Sequence, residues 1–279
     1  MQIAHYFGAK EFKEGRIVLR HGLIFSICFS LVLLLIGASI AKPLPFLLRA
    51  DESIWNDSTL YFLVFVLSLP FMMLNNLCAS SLQCSGNMIV PSILNAVMCL
   101  LDVVFNMIFI PLYGVLGASI GTALSVVVTS ILMFVICCFI DKKLKITIKD
   151  NSKFNKRIIN KAIKICIPIA LEQIARSGAM IVSTGIIAPL GNTAIAANSF
   201  AVTVESVCYM PGFGVQSAAT TLVGQEMGKA DYKKAKSYGN ISIWLGSLIM
   251  TFMAVLLFVI CPYIFKVLTP VKEVQALAT

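Results

Sequence analysis

The sequence predicts an all-α fold, a polytopic membrane bundle of about seven transmembrane helices. Composition, the spacing of the apolar runs and an internal repeat lead to this prediction. Of the 279 residues, 58% are hydrophobic and 13% are charged, whereas soluble domains are about half apolar and about a quarter charged. Only a bilayer can cover so much apolar side-chain surface, because lipid then replaces water around the helices.

Seven apolar runs are each long enough to cross the hydrocarbon core as a helix, which takes about 20 residues. Pro168 in the fifth run removes a helical hydrogen bond, so it predicts a bend. Pro211 and Gly212 predict another bend in the sixth run. The runs lie at 23–41, 60–82, 88–110, 115–140, 163–189, 193–223 and 241–265.

Basic residues mark one side of the predicted membrane protein. The net charge is +9, and most of the 22 Lys and Arg residues lie in segments 1–22, 141–164 and 226–240. Counting the spans between them places all three segments on the same side, which the positive-inside rule makes cytoplasmic. The charge therefore predicts topology in a lipid bilayer rather than a nucleic-acid partner. The spacing of His and Cys predicts no metal site, and no catalytic residue or cofactor motif is present.

The third observation is an internal repeat. Residues 3–21 align with residues 223–241 at a shift of 220 positions, so that Gly8 meets Gly228 and Lys13 meets Lys233. Six spans, an even number, separate the two copies, and this predicts parts of two parallel six-helix repeats. Two whole repeats would need about 440 residues. The predicted domains are part of a first lobe, a basic cytoplasmic linker and part of a second lobe, at 1–140, 141–162 and 163–279.

Ionisable side chains well inside the apolar runs are the candidates for function, because each costs roughly 2.5–3.5 kcal/mol at the centre of a membrane helix. In the third run Asn95, Cys99, Asp102 and Asn106 follow one another at helical spacing, so they share one face. A carboxylate on that face predicts a proton or Na⁺ site. The alternative is a polar pair that fixes helix packing.

Two further stripes lie in the fifth and sixth runs. Glu172 and Arg176 are four residues apart, which suits either a binding site or a neutralised ion pair. Glu205 and Tyr209 offer charge and an aromatic ring to an organic cation, or else they form a hydrogen-bonded helix seam.

Residues 211–235, PGFGVQSAATTLVGQEMGKADYKKA, closely resemble a signature of the multidrug and toxic compound extrusion (MATE) family. Gly224, Gln225 and Gly228 occupy its characteristic places, where glycine favours a turn and close packing. Residues 106–125 and 167–177 also resemble family segments, the latter those of the bacterial branch related to the DNA-damage-inducible members.

The resemblance implies helices three to nine of a twelve-helix protein, and it implies a secondary transporter rather than an enzyme. It would act in the cell membrane, monomeric when full length, and export small organic cations or drugs by antiport with H⁺ or Na⁺. The candidate cation and substrate residues come from the polar stripes described above and are Asp102, Asn106, Glu172, Arg176, Glu205 and Tyr209. A lipid-linked oligosaccharide flippase of the same superfamily and a non-transporting fragment remain alternatives.

Overall fold

The computed structural model describes residues 1–43, 46, 55–145, 156–187 and 191–268, and this part of the chain contains helices and no strand. The all-α prediction is therefore confirmed. Residues 146–155 of the predicted linker and the last residues of the fifth apolar run lie outside the described residues. The helices are α1 Gln2–Gly8, α2 Phe12–Ala41, α3 Trp55–Cys84, α4 Ile89–Tyr113, α5 Val115–Val135 with a π-helical turn Ile136–Ile140, α6 Lys156–Ile187, α7 Asn192–Gly228 and α8 Tyr232–Leu268.

In the described part of the chain, six helices are long and apolar enough to cross a membrane. They are α2, α3, α4, α5, α6 and α8, and they correspond to six of the seven predicted spans. The exception is α7, which has 37 residues. It is less apolar because its stripe of Asn, Glu, Gln and Thr side chains dilutes the hydrophobic ones.

The prolines do not unwind their helices. Helix α6 runs unbroken through Pro168, and α7 runs unbroken through Pro211 and Gly212. A bend at these residues stays a prediction. Beside Pro211, α7 packs closely on α8, because a Cβ added to Gly212 would lie 3.1 Å from the Met250 sulfur. The Cys208 thiol also donates to the Met253 carbonyl oxygen at 3.6 Å.

The chain forms two compact units. The first comprises Met1–Phe154 with Gly224–Ala230, and the second comprises Asn155–Val223 with Asp231–Thr279. The last residues of α7 thus belong to the unit built by α1 to α5. The predicted division into two lobes and a linker stays a prediction.

The core of the first unit lies towards one end of its helices. Leu19, Leu82, Met133, Cys137 and Leu144 are almost wholly buried there, close to the basic segments. Large apolar side chains elsewhere remain exposed; on α4, for example, Leu100 is 67% and Met107 is 73% exposed. Lipid is the solvent that suits such a surface.

Helices α4 and α5 form a hairpin with very close backbone contact. Gly114 turns the chain with φ of 59°, a conformation that favours glycine. A Cβ on Gly117 would overlap the Phe109 carbonyl group, and one on Gly121 would lie 2.6 Å from Asn106 Oδ1. The two glycines have the small-xxx-small spacing that brings membrane helices together.

The turn between α1 and α2 has the same backbone conformation as the turn between α7 and α8. Lys10 has φ of 61° and Ala230, 220 positions later, has φ of 58°. The preceding helices end at Gly8 and Gly228, and the following helices begin at Phe12 and Tyr232. The internal repeat is therefore a repeat of local structure as well as of sequence.

We expect Gly117→Ala to destabilise the protein by about 1–3 kcal/mol, because the added methyl group overlaps backbone atoms that cannot move aside locally. Gly239→Ala is the matched control, since a Cβ there has open space around it, and it should be neutral or slightly stabilising. Thermal unfolding of the two purified variants in the same detergent measures the difference. Equal midpoints would contradict the close packing of α4 on α5.

Candidate functional site

The polar stripe of α4 is partly buried and partly open. Asn95 and Cys99 are exposed, whereas Asp102 and Asn106 are half-buried. The Oδ1 atoms of Asp102 and Asn106 are both fully buried, and neither has a hydrogen-bond partner within the described part of the chain. Of the four residues, only these two thus lie at the packed edge of the helix.

Helix α5 covers these two residues. Asn106 lies against Gly121, and Phe109 lies against Gly117, so the antiparallel register of the hairpin puts Asp102 level with Ser125. Ser125 is 1% exposed, and its hydroxyl donates to the Thr122 carbonyl oxygen at 2.8 Å. Its donor is therefore already used, while its oxygen can still accept.

A groove of about 370 Å³ adjoins Asn106 on the outer side of α4. Its walls are almost wholly apolar and are formed by Val103, Met107, Ile110 and Pro111 together with Asn106. The groove therefore supplies no polar partner for the buried oxygen atoms.

Two buried oxygen acceptors without donors make an incomplete site. Leaving a buried polar atom unpaired costs about 1–3 kcal/mol, and an ionised carboxylate costs more in a membrane. A proton on Asp102 would turn one of its oxygens into a donor. A bound cation would instead satisfy both oxygen atoms directly. The chemistry that this arrangement can perform is the binding and release of a small cation.

Glu172 and Arg176 lie on α6 in the second unit, and both are exposed. In the described part of the chain neither residue forms a hydrogen bond or an ion pair, so the alternative of a neutralised pair is not what the structure shows. Both charged groups are open to a ligand.

Glu205 and Tyr209 lie on α7, and both are exposed. The Tyr209 ring meets the Phe213 ring edge to face, with 5.7 Å between the ring centroids. Among the described residues Glu205 has no hydrogen-bond partner, so it does not belong to a hydrogen-bonded seam there. The helix presents a carboxylate one turn from an aromatic pair.

The structure thus places the six predicted binding residues in two groups, each described within its own unit. Asp102 and Asn106 belong to the first unit, and the other four belong to the second. Sequence reasoning missed the close contact of Gly121 with Asn106. The spacing of Gly117 and Gly121 was the available signal. It also missed Asn75 of α3, which is 7% exposed and has an unpaired buried Oδ1.

The three residues of the signature lie at the end of α7 within the first unit. Gly224 is buried and Gln225 is half-buried. The Gln225 side-chain amide donates to the Cys84 carbonyl oxygen at 2.9 Å. Gly228 is the last residue of the helix. These residues therefore make packing contacts and one hydrogen bond.

Comparison with known proteins finds relatives that are similar to this chain in sequence. The probable multidrug resistance protein YoeA of Bacillus subtilis is 22% identical over 286 residues, which cover 99% of this chain and 61% of that protein. A probable multidrug resistance protein NorM of Pasteurella multocida is 27% identical over 177 residues, 63% of this chain and 38% of that protein. The chain therefore spans about three fifths or less of these relatives.

Two solved structures share the fold at low sequence identity. A MATE protein crystallised in the straight conformation matches with a TM-score of 0.90 and 22% identity, over 99% of this chain and 62% of that one. The second is a MOP superfamily transporter from Pyrococcus furiosus, described as having reversed polarity of its binding pocket. It matches with a TM-score of 0.91 and 22% identity, over 99% of this chain and 62% of that one.

The model of the MatE family matches residues 2–108 and 168–279, well over half of the chain. These matched segments contain both copies of the repeat and all six candidate binding residues. Since the helices and the signature agree with this match, the chain is a multi-pass membrane protein that belongs to the MATE family.

Proposed function

We propose that the protein to which this chain belongs exports organic cations or drugs by antiport with H⁺ or Na⁺. The observation that carries the proposal is the pair of buried, partnerless oxygen atoms on Asp102 and Asn106. The chain spans about three fifths of its relatives, so the activity is proposed for the whole protein. The family is a transporter family, and the proposal includes no covalent chemistry.

A single proton suits the Asp102 and Asn106 pair. Residues four apart on a helix are neighbours on its surface, so a protonated Asp102 can donate to the Asn106 oxygen. One proton then satisfies both buried atoms. Sodium would require further oxygen ligands, of which Ser125 offers one. The pair thus favours H⁺, with Na⁺ as the second coupling ion.

The electrochemical gradient of the ion supplies the energy of export, and release of the ion inside the cell completes its movement down that gradient. A conformational change that lets water reach Asp102 stabilises the ionised form, because hydration removes the desolvation cost. Each charge that moves inward contributes about 2.3 kcal/mol per 100 mV of membrane potential, before any concentration term. Alternating access of two helical repeats would link this release to movement of the drug.

Glu205 and Tyr209 are the proposed recognition groups for the drug. The exposed carboxylate attracts a positive charge, and the Tyr209 ring, held by its edge contact with Phe213, offers a flat aromatic surface. Glu172 adds negative charge on α6, whereas Arg176 opposes it. The proposed ligand is therefore an aromatic cation small enough to meet a few such groups.

A flippase for lipid-linked oligosaccharides is the second candidate. Arg176 favours it, because this guanidinium is exposed and forms no ion pair among the described residues. Guanidinium groups bind phosphate oxygens well. Binding of a lipid-linked sugar diphosphate, without binding of aromatic cations, would reverse the order of the two candidates.

We further propose that segments 1–22, 141–162 and 226–240 face the cytoplasm of a cell-membrane protein, since these segments carry most of the basic residues. The full-length protein would work as a monomer, with the lipid bilayer and the exported compound as its partners.

We expect Asp102→Asn to abolish gradient-driven efflux while leaving dye binding intact. An asparagine amide has a permanent donor, so it imitates the protonated state and cannot release an ion. Uptake of a fluorescent cation into everted membrane vesicles, with an imposed pH or Na⁺ gradient, measures the effect. Asn95→Ala changes an exposed residue of the same stripe and should transport normally. Unchanged coupling in Asp102→Asn would remove this residue from the mechanism.

We expect Glu205→Gln to weaken binding of tetraphenylphosphonium about tenfold, because the variant loses one charge-assisted contact of about 1.5 kcal/mol. Tyr209→Ala should also weaken binding, whereas Tyr209→Phe keeps the ring and should not. Titration calorimetry of the purified proteins measures the dissociation constants. Gln216→Ala, an exposed residue of the same helix, serves as control. Equal affinities in Glu205→Gln and Gln216→Ala would exclude Glu205 from the binding site.

A further inference from the structure

A groove of about 500 Å³ lies in the first unit, where helices α4 and α5 reach the basic segment 141–164. Its two walls are formed by residues 85–87 with Val90, and by Ile136 with residues 140–143. Helix α4 begins at Ile89, and the apolar span of α5 ends at Ile140. The groove therefore lies at the depth of the lipid head groups. We call it the lysine groove, after Lys142 and Lys143 in its wall.

The turn that carries the two lysines is ordered by its own contacts. Asp141 Oδ1 accepts from the backbone N–H groups of Lys143 at 2.9 Å and of Leu144 at 3.0 Å. The Leu144 side chain is fully buried in the core of the first unit. The Lys143 ammonium group donates to the Ser85 carbonyl oxygen of the opposite wall at 3.0 Å. The charge of Lys143 is therefore held at the groove before any ligand binds, which lowers the entropic cost of binding.

Positive charge at the lysine groove is available to a ligand. Lys142 and Lys143 are exposed, and neither forms an ion pair within the described part of the chain. Lys143 has three N–H donors and uses one of them on the opposite wall. Asp141 brings a carboxylate to the wall, but its Oδ1 atom already accepts from two backbone N–H groups. Arg16 adds a guanidinium group, which donates to the Lys145 carbonyl oxygen at 3.2 Å. The complementary ligand is therefore an anion.

Apolar side chains form much of the rest of the groove and continue onto the lipid-facing surface. Val90 and Ile136 are half-buried in its walls. Ile140 is 64% exposed, and Ile89 at the start of α4 is 71% exposed. A soluble phosphate would leave this apolar surface uncovered, whereas the acyl chains of a lipid would cover it. Basic pockets between membrane helices bind the head groups of anionic lipids in this way.

We infer that the lysine groove is a binding site for one anionic phospholipid. The lipid phosphate contacts Lys142 and Lys143, and the acyl chains lie along Ile136 and Ile140. This inference does not rest on the proposed transport function, because it uses only the position and the chemistry of the groove. It assigns a lipid class and a place on the protein, beyond the general contact of a membrane protein with the bilayer.

Retention of lipid by the full-length protein tests the inference without a transport assay. The protein is purified in detergent that contains equal amounts of phosphatidylglycerol and phosphatidylcholine, and native mass spectrometry counts the molecules of each lipid that stay bound. We expect the unmodified protein to retain phosphatidylglycerol preferentially. The double substitution Lys142→Gln with Lys143→Gln should lower this preference about tenfold, because two charges near the phosphate are lost. Equal retention of the two lipids by the unmodified protein would overturn the inference.

A matched control separates the groove from the overall charge of the protein. Lys233 and Lys236 of α8 are also exposed, and neither forms an ion pair among the described residues. The double substitution Lys233→Gln with Lys236→Gln removes the same charge from another basic segment, so it should keep the preference for phosphatidylglycerol. An equal loss of preference in the two double variants would show that net charge alone attracts the lipid, and the assigned site would be wrong.

A single substitution tests the site without disturbing the turn. Lys143→Gln removes the hydrogen bond to Ser85, whereas the Lys142 side chain makes no hydrogen bond or ion pair within the described part of the chain. Lys142→Gln alone should therefore lower the preference for phosphatidylglycerol about threefold and leave the thermal midpoint of the lipid-free protein unchanged. Full retention of the preference in this variant would exclude Lys142 from lipid binding and overturn the inference.

Inorganic phosphate distinguishes a lipid site from a site for a free anion. Millimolar phosphate is added at constant ionic strength before the lipids are counted. Phosphate carries the charge of the head group but has no acyl chains, so we expect phosphatidylglycerol to stay bound. If phosphate lowers the retention of phosphatidylglycerol to that of phosphatidylcholine, the groove takes a soluble anion, and the assignment of a lipid is wrong.

Discussion

Close approach of helices at glycine is the interaction on which the first unit depends. Lipid is as apolar as the side chains, so the hydrophobic effect does little to hold one membrane helix against another. Dispersion forces must do so instead, and they fall steeply when a gap opens between surfaces. Gly117 and Gly121 allow α5 to meet the backbone of α4, and Gly8 and Gly228 allow the two repeats to meet. Both contacts lose their closeness if a single methyl group is added.

Close helix packing also explains why the Oδ1 atoms of Asp102 and Asn106 are buried without a hydrogen-bond partner in the described part of the chain. An exposed polar residue can be solvated by water or lipid head groups, but Gly121 brings α5 so near that the Asn106 oxygen is sealed from solvent. The cost of an unpaired buried acceptor then depends on whether an ion is present. A site whose stability changes with ion occupancy is what a coupled transporter needs, because only a differential interaction can shift a conformational equilibrium.

Much of this architecture could be predicted from the sequence, because hydropathy and charge are read residue by residue. The apolar runs that became α2, α3, α4, α5, α6 and α8 were long enough to stand out, and the repeat aligned Lys10 with Ala230, where the structure has equivalent turns. Helix α7 matched less well, since a span that carries a polar stripe has no strong hydropathy signal. Its helical course was still recognisable from the spacing of Glu205 and Tyr209.

Tertiary contacts could not be predicted in the same way. The sequence indicated that Asp102 and Asn106 share a face, but the closeness of Gly121 depends on the register of the α4–α5 hairpin. Glu172 and Arg176 have ideal spacing for an ion pair, yet in the described chain they remain apart, because helical spacing permits a pair without requiring one. The signature glycines pointed to close packing, but nothing in their spacing named His5 as the partner of Gly228.

The pair of Asp102 and Asn106 and the close contact of α1 with the end of α7 belong to one unit, and named contacts join them. Asn106 lies against Gly121 of α5, the Ser130 hydroxyl of α5 donates to the Phe71 carbonyl oxygen of α3 at 2.8 Å, and α3 ends at Cys84, which accepts from Gln225. A chain of contacts does not by itself establish coupling, which requires an element with two states that both sites bias. In such an element, protonation of Asp102 would change how tightly α4 packs on α5, and α5 and α3 would carry that change to the end of α7.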